Sequence, residues 1–462
     1  MSTKDFETLR HQVDKEGIAF VDFRVSDWAG RFRHVTVPAS RFDEDLVAGG
    51  IGFDASNYGY CGVSGSDMVL VPDLSTAHVE DRGEDRVLVV IGDVHEAASR
   101  TPASHDPRRI AKAAVEHLRS EGIADDILVS PEFEFYVFDD VRFTSEESGN
   151  CVAIDCVEGC GHAMDTSSRS GVGSAYHAPM PEDRLFVLRG KMCRRIEAVG
   201  IPVKYHHHEV GPFGQQEIEL GFSSLVEMAD ATQIVKGIVR GVAADAGLTA
   251  TFMPKPLFGQ AGNGLHLHQF LVKGGANLFA GDGDLSETAL CYIGGLLSHG
   301  RSLMGITNPS TNSYRRLVPG YEAPVRFLYG ASNRSAAVRV PGYATPEMRR
   351  IELRTMDATC NPYLAFSAIL LAGIDGIKRG MHAAHLGYGP YEKDAAESVD
   401  GETAPRRLSD ALDALEADQA YLTGSGVVPA GVLESWVRAK REELLAVSAR
   451  PHPHEFSLYY DL

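Results

Sequence analysis

Glu132 and Glu134 stand two residues apart inside "ILVSPEFEFYVF", Ile127 to Phe138. The residues around them are β-branched, aromatic or aliphatic, which predicts a strand. Side chains on a strand alternate faces, so both acids point the same way, flanked there by Ser130 and Tyr136. Two carboxylates roughly 7 Å apart on one buried face repel each other unless something positive lies between them. Three further stretches carry similar chemistry. "YHHHEVGPFGQQEIEL" supplies Glu209 and Glu217, "GNGLHLHQF" puts His266 and His268 on one face, and "RRIELRT" sets Glu352 between Arg350 and Arg354. Magnesium and manganese take oxygen ligands, and manganese accepts imidazole. Glu132, Glu134, Glu209, Glu217, Glu352 and His266 converging from four strands would hold two such ions and relieve the repulsion. Each motif alone has a plainer reading. An acid pair on a strand is usually a solvated face, "HHH" includes core or hydrogen-bonding residues, "GNG" is a turn, and "RRIELR" is a salt-bridged strand. Their co-occurrence favours the metal site.

These residues need elements to position them. The first hundred residues are β-rich: a helix over Asp5 to Glu16, then "IAFVDFRVSD" and "FRHVTVP" joined through "WAGR", then "RVLVVIGDV". The polar "EAASRTPASHD" marks a boundary, dividing the chain into 1–104 and 105–462. Asp106 caps the next helix, with Pro107 at its first position and Gly122 closing it. The glutamate strand follows. "EESGNCVAIDCVEGCGHAMDTSSRSGVGS" reads as a long surface excursion. Helices are expected near Glu182–Val199, Ser224–Asp245 and Glu287–Met304, after Asn361-Pro362, and through "PAGVLESWVRAKREELLAV".

At 462 residues the chain is long enough for two or three domains. No window approaches the roughly 18 uninterrupted apolar residues of a membrane span. The charged N-terminus lacks the apolar region of a signal peptide. Seven cysteines, an odd number, argue for reduced thiols in a cytoplasm. Cys151, Cys156 and Cys160 match no common zinc spacing. A net charge of −19 disfavours nucleic acid and anionic membranes as partners.

Over essentially its whole length the sequence resembles type I glutamine synthetase. "SPEFEFYVFDD", "HHHEV…GQ.E", "KPLFG…GNGLHLH", "NPSTNSYRRLVPGYEAPV", "NRSAAVRVP", "RRIELRTMDATCNPYLAF" and "PHPHEF.LYY" occur in that family's order at nearly its spacing. The resemblance implies an α+β fold, with a β-grasp-like N-terminal domain and a catalytic domain on a curved antiparallel sheet. It implies ATP-dependent ligation of ammonia to L-glutamate with Mg2+ or Mn2+, in a dodecamer of two hexameric rings. Glu134, Glu209 and Glu217 would hold one metal, and Glu132, His266 and Glu352 the other. Arg316, Arg354, Gly262 and Tyr176 would face glutamate or ammonium. Lys204, His268, Phe270, Arg334, Arg339, Glu347 and Arg350 would lie at ATP. Arg334 would meet the transferring phosphoryl group. Glu322 would take a proton from ammonium, and Asp54 would enter the neighbouring subunit's site to bind that cation. The tail "PHPHEFSLYYDL" would cross to the opposite ring.

The chain departs from the family's pattern in places. Phe270 replaces a usual serine and Ala261 an asparagine that touches glutamate. Lys204 stands where a glutamate is usual and Glu347 where a lysine is usual, which suggests that Lys204 or a neighbouring arginine compensates Glu347. Asn57 and Tyr60–Cys61 alter the ammonium region, which keeps a glutamate–amine ligase open as an alternative, as Phe270, Ala261 and Glu347 keep open a non-catalytic relative. The tyrosine that some members adenylylate falls near Ala396, with Tyr388 and Tyr391 out of register.

Overall fold

The computed structural model describes residues 5–59, 66–83, 85–159, 175–282, 284–319, 323–391 and 402–462. The chain opens with the Phe6–Glu16 helix, whose cap Asp5 accepts from the Thr8 N–H, and Gly17 ends it in the left-handed region. Phe20–Ser26 pairs antiparallel with Phe32–Pro38 and parallel with Asp85–Glu96. Asp67–Pro72 and Ile51–Asp54 extend this sheet, and His78–Arg82 pairs with Asp85–Glu96. Leu9, Val13, Phe23, Phe42 and Leu88 form its core.

Asp106 caps the Pro107–Ser120 helix as its sequence predicts. Arg108, in its first turn, is buried and ion-paired at 2.9 Å to Asp73, 2.7 Å to Asp93 and 2.9 Å to Asp230. Three acids from separate segments satisfy one guanidinium, so the first sheet is locked to the Leu225–Asp245 helix.

A ten-stranded sheet follows, its main path running Val203–His208, Gln215–Leu220, Asp126–Phe138, Leu265–Lys273, Ile351–Leu353, Val338–Val340, Tyr329–Ala331. Pairing along that path is antiparallel except for the last pair. Phe133, Phe135, Ile218, Leu265 and Leu267 point from one face into a core shared with the Leu225–Asp245 and Pro362–Lys378 helices. The fold is α+β. Among the described residues no helix is long and apolar enough to cross a membrane.

Three local expectations are corrected. The Glu287–Met304 helix is two, Glu287–Ser298 and Gly300–Thr307. His299 at the joint reaches Asp418 and Asp375 at 2.7 and 2.9 Å, and a Cβ on Gly300 would lie 2.5 Å from the Phe327 ring. The helix expected from Glu182 starts at Phe186, because Asp183 is bound to Arg189 at 2.6 Å rather than capping. Part of the expected excursion is a hairpin, Asp140–Glu146 with Gly149–Asp155, whose "CVAID" supplies strand formers. Cys160 and the rest of that segment to residue 174 lie outside the described residues, as do Tyr60, Cys61 and Ala396.

Candidate active site

The register of the second sheet assembles the site. Glu217 lies opposite Glu134, and Glu219 opposite Glu132. On the other side His266 lies opposite Glu132, and His268 is paired with Glu352, itself opposite Arg339. Period-two alternation puts the acids and both histidines on the face away from the apolar core. Glu132, Glu134, Glu217 and His266 line a cavity of about 800 Å³, and Glu219, Glu352 and His268 are fully buried beside them.

His266 answers the repulsion between the first two acids. Its Nδ1 is 2.9 Å from Glu132 Oε2 and its Nε2 3.8 Å from Glu134 Oε1. His268 Nε2 sits 2.8 Å from Glu132 Oε1. Burial pushes the Glu132 carboxyl up, but hydrogen bonds from His266 and His268 outweigh it and hold the group well below the ordinary range. Glu352 is also held low: burial is overcome chiefly by Arg354, which bonds it directly, while Arg339 lies 2.6 Å from its other oxygen. Glu217 and Glu209 behave oppositely. Burial raises both well above the usual range, Glu132 and Glu134 adding to the rise in Glu217 and Glu217 and Glu134 to that in Glu209.

Among the described residues two triads bring ligand atoms within 4.8 Å of one another: Glu132, His268 and Glu352, and His207, Glu209 and Glu217. His266 also reaches Glu352, at 3.7 Å. Carboxylate oxygens with imidazole are a donor set for Mg2+ or Mn2+. Glu209, half-buried, and Glu217, buried, meet the condition that a dication relieves: acids in surplus over nearby cations. His268 Nδ1 and Glu219 Oε2 are buried without a hydrogen-bond partner among the described residues. The residues fit divalent cations.

Four arginines surround the acids. Arg316 is buried and its Nη2 lies 3.0 Å from His266 Nε2, so burial lowers its pKa. The "GNG" turn makes that approach possible: a Cβ on Gly264 would stand 2.5 Å from Arg316 Nη2 and 2.6 Å from His266 Nε2. Gly262 is equally tight against Arg316 Cγ, at 2.7 Å. Arg334, Arg339 and Arg354 line the cavity, with Arg334 stacked 6.0 Å over Tyr176.

The other expected residues divide. Tyr176, Lys204, Ala261 and Gly262 line the cavity. Phe270 is buried edge-on against Phe222 at 5.1 Å, and the Arg350 guanidinium lies 5.9 Å over that same Phe222 ring. Asp54 ends an edge strand of the first sheet, exposed and held below the usual carboxylate range by the Ser56 N–H; it does not line this chain's cavity. Glu322 lies outside the described residues.

The expected compensation of Glu347 by Lys204 is overturned. Lys204 Nζ is 2.5 Å from the fully buried Glu219, whereas Glu347 is exposed in a short turn where its own N–H and Thr345 lower its pKa. A solvated acid needs no compensating partner; a buried one does.

Sequence reasoning missed Glu219, the cavity-lining Tyr205 and the distinct part of His207. Glu219 is two residues from Glu217 on one strand, so the alternation that found Glu134 from Glu132 would have found it. In "HHH", His206 accepts from Arg189 and His208 meets Glu158, while His207 lies 3.2 Å from Glu217.

A family model described as "Glutamine synthetase, catalytic domain" matches residues 104–459, and one described as "Glutamine synthetase, beta-Grasp domain" matches residues 17–97. A glutamine synthetase of Vibrio cholerae is 44% identical over 466 residues, covering 99% of each chain. A 3-hydroxylaminophenol mutase of Cupriavidus pinatubonensis is 42% identical over 460 residues, covering 97% of this chain and 98% of that one. The cryo-electron microscopy structure of a Plasmodium falciparum glutamine synthetase superposes with a TM-score of 0.90 at 26% identity, covering 100% of this chain and 99% of that one.

Proposed function

The chain belongs to the glutamine synthetase family of ligases, and from that premise we propose that it joins ammonia to the side-chain carboxylate of L-glutamate. ATP phosphorylates that carboxylate to a γ-glutamyl phosphate, releasing ADP, and ammonia then displaces phosphate to give glutamine. The observation that carries this reading is the single face on which Glu132, Glu134, Glu217, Glu352 and His266 meet Arg316, Arg339 and Arg354.

Glu134, Glu209 and Glu217 would hold one divalent cation and Glu132, His266 and Glu352 another, which would supply charge neutralisation for the phosphates. Arg316, Arg354 and Gly262 hold glutamate. Arg334 meets the phosphoryl group in transfer, where catalysis is mainly positioning and charge neutralisation. Arg339, Lys204, His268, Phe270, Arg350 and Glu347 border ATP, Phe270 and Arg350 through their shared contact with Phe222. Ammonium becomes a nucleophile only after losing a proton, so Tyr176 and a neighbour's Asp54 bind the cation and Glu322 accepts the proton. Exclusion of water from the site protects the acyl phosphate from hydrolysis.

Asp54 lies outside its own chain's cavity, which supports completion of each site by a neighbouring subunit; the assembly we propose is a dodecamer of two hexameric rings. The exposed Phe456, Leu458, Tyr459, Tyr460 and Leu462 of the tail support a partner surface there. We assign residues 1–104 and 105–462 as the two domains and place the enzyme in the cytoplasm.

A second reading, a glutamate–amine ligase, rests on Asn57, which follows the Asp54 strand at a position where the family usually has serine. Phosphate release from Mg-ATP and glutamate with ammonium, methylamine, ethanolamine, putrescine or no amine separates the two. Preference for ammonium supports the first reading and preference for an organic amine the second. Silence across the panel from a folded assembly, or ATP-independent conversion of 3-hydroxylaminophenol alone, overturns both.

A further inference from the structure

A second cavity, of about 360 Å³, lies between the first sheet and the Ala430–Ser448 helix and shares no lining residue with the first. Both tryptophans of the chain line it, Trp28 and Trp436, with ring centroids 6.3 Å apart. Trp436 donates its indole N–H to Gly305 O at 2.9 Å. The Trp28 indole N–H is buried with no hydrogen-bond partner among the described residues.

The charges in this cavity do not balance. Arg33 is paired with Asp27 at 2.8 Å and Lys440 with Glu443 at 2.8 Å. The Arg31 guanidinium makes no ion pair among the described residues, and Asp27 is already bound to the Arg31 backbone N–H. One positive charge remains beside two indole side chains. Volumes of roughly 300–1,000 Å³ with aromatic walls and a few polar groups are those of small-molecule sites. Guanidinium matches a carboxylate, and indole faces take a flat ring.

We propose that this cavity binds a small aromatic monoanion of the arylcarboxylate class and that its occupant sets the position of the Asp54 loop. The Trp28 backbone N–H donates to Tyr58 O at 3.0 Å, and the Tyr58 N–H to Ala55 O at 2.9 Å. Ser56 N–H in turn holds the Asp54 carboxylate at 2.9 Å. A Cβ on Gly59 would stand 3.1 Å from Trp28 Cβ and 3.5 Å from its Cγ, so the loop packs against that side chain. The effect on the loop rests on the proposed ammonium role of Asp54; the binding does not.

Because the chain has no other tryptophan, its indole emission reports this cavity directly. The full-length protein is titrated with benzoate, benzamide and acetate. Benzoate is expected to change the emission saturably, with benzamide and acetate at least about tenfold weaker. The Arg31→Gln variant, altered at an exposed position, is expected to bind benzoate about tenfold less tightly. No saturable change, an equal response to benzamide, or unchanged benzoate affinity in Arg31→Gln overturns the site. Saturating benzoate is also expected to shift the KM for ammonium; binding without that shift overturns the coupling and leaves the site standing. Absence of ligase turnover would count against the proposed function, and the fluorescence titration would still decide the site.

Discussion

The Nζ of Lys204 lies 2.5 Å from Oε1 of Glu219, on the strand beside it. Glu219 is fully buried, opposite Glu132, and 3.8 Å from His268. Lys204 therefore supplies the charge partner of a further acid on the metal-site face. Lys204→Met is expected to cost about 1–3 kcal/mol by leaving a buried carboxylate short of a partner. Lys204→Met with Glu219→Leu is expected to recover most of that, since removing both charges is often neutral. Urea denaturation measures both; a single variant as stable as the parent would contradict the pairing.

Glu217 is the acid most crowded by like charge. Its folded pKa is raised, so its ionised form weakens the metal-free protein as pH rises from the unfolded value through the folded one. Glu217→Gln keeps the volume and removes the charge. Above neutral pH it is expected to stabilise the metal-free protein by about 1–3 kcal/mol. The same change is expected to abolish most of the Mn2+-induced gain, which at a hundredfold excess over Kd is about 2.7 kcal/mol. Melting with and without Mn2+ tests both effects; an Mn2+-induced gain as large in Glu217→Gln as in the parent would reject the role.

Gly264→Ala places a methyl group in the Arg316–His266 contact. With secondary structure unchanged by circular dichroism, kcat/KM is expected to fall about 100-fold, the usual effect of a 1 Å misplacement. Activity within threefold of the parent would show that the two side chains move apart without consequence.

Glu322→Ala separates deprotonation from nucleotide binding. Amide formation is expected to fall at least about 100-fold while the Mg-ATP Kd stays within threefold. Equal loss of both, by product assay and calorimetry, would remove the assigned role.

His299 is held between Asp418 and Asp375, whose hydrogen bonds outweigh burial and raise its pKa. A histidine with a raised folded pKa stabilises fully below its unfolded pKa, about 6.5. That contribution is lost as pH climbs through the folded pKa. Stability is expected to decline over that interval, and His299→Gln to flatten the decline. Denaturation midpoints measured from pH 6 to 9 would refute this if both proteins showed the same slope.

Much of this site was legible before folding. Alternation placed Glu132 beside Glu134 and His266 beside His268, and Asp106, Pro107 and Asn361 announced their helices. Glu219 was equally legible, since it repeats the same spacing from Glu217. The Lys204–Glu219 pair was not, because a lysine's position says nothing of which acid its flexible stem reaches. The joint at His299 was hidden for a similar reason: both of its partners are remote in sequence.

By itself the sequence determined which residues share a face, because that depends only on the two-residue period of a strand. Only the tertiary structure decided which strands are neighbours and in what register, since inter-strand hydrogen bonds form between segments far apart in the chain. A slip of one residue would have turned Glu217 toward the core and left Glu134 facing Ile218 or Gln216. The side-chain alphabet was local; the charge balance of the cavity is a property of the assembled sheet.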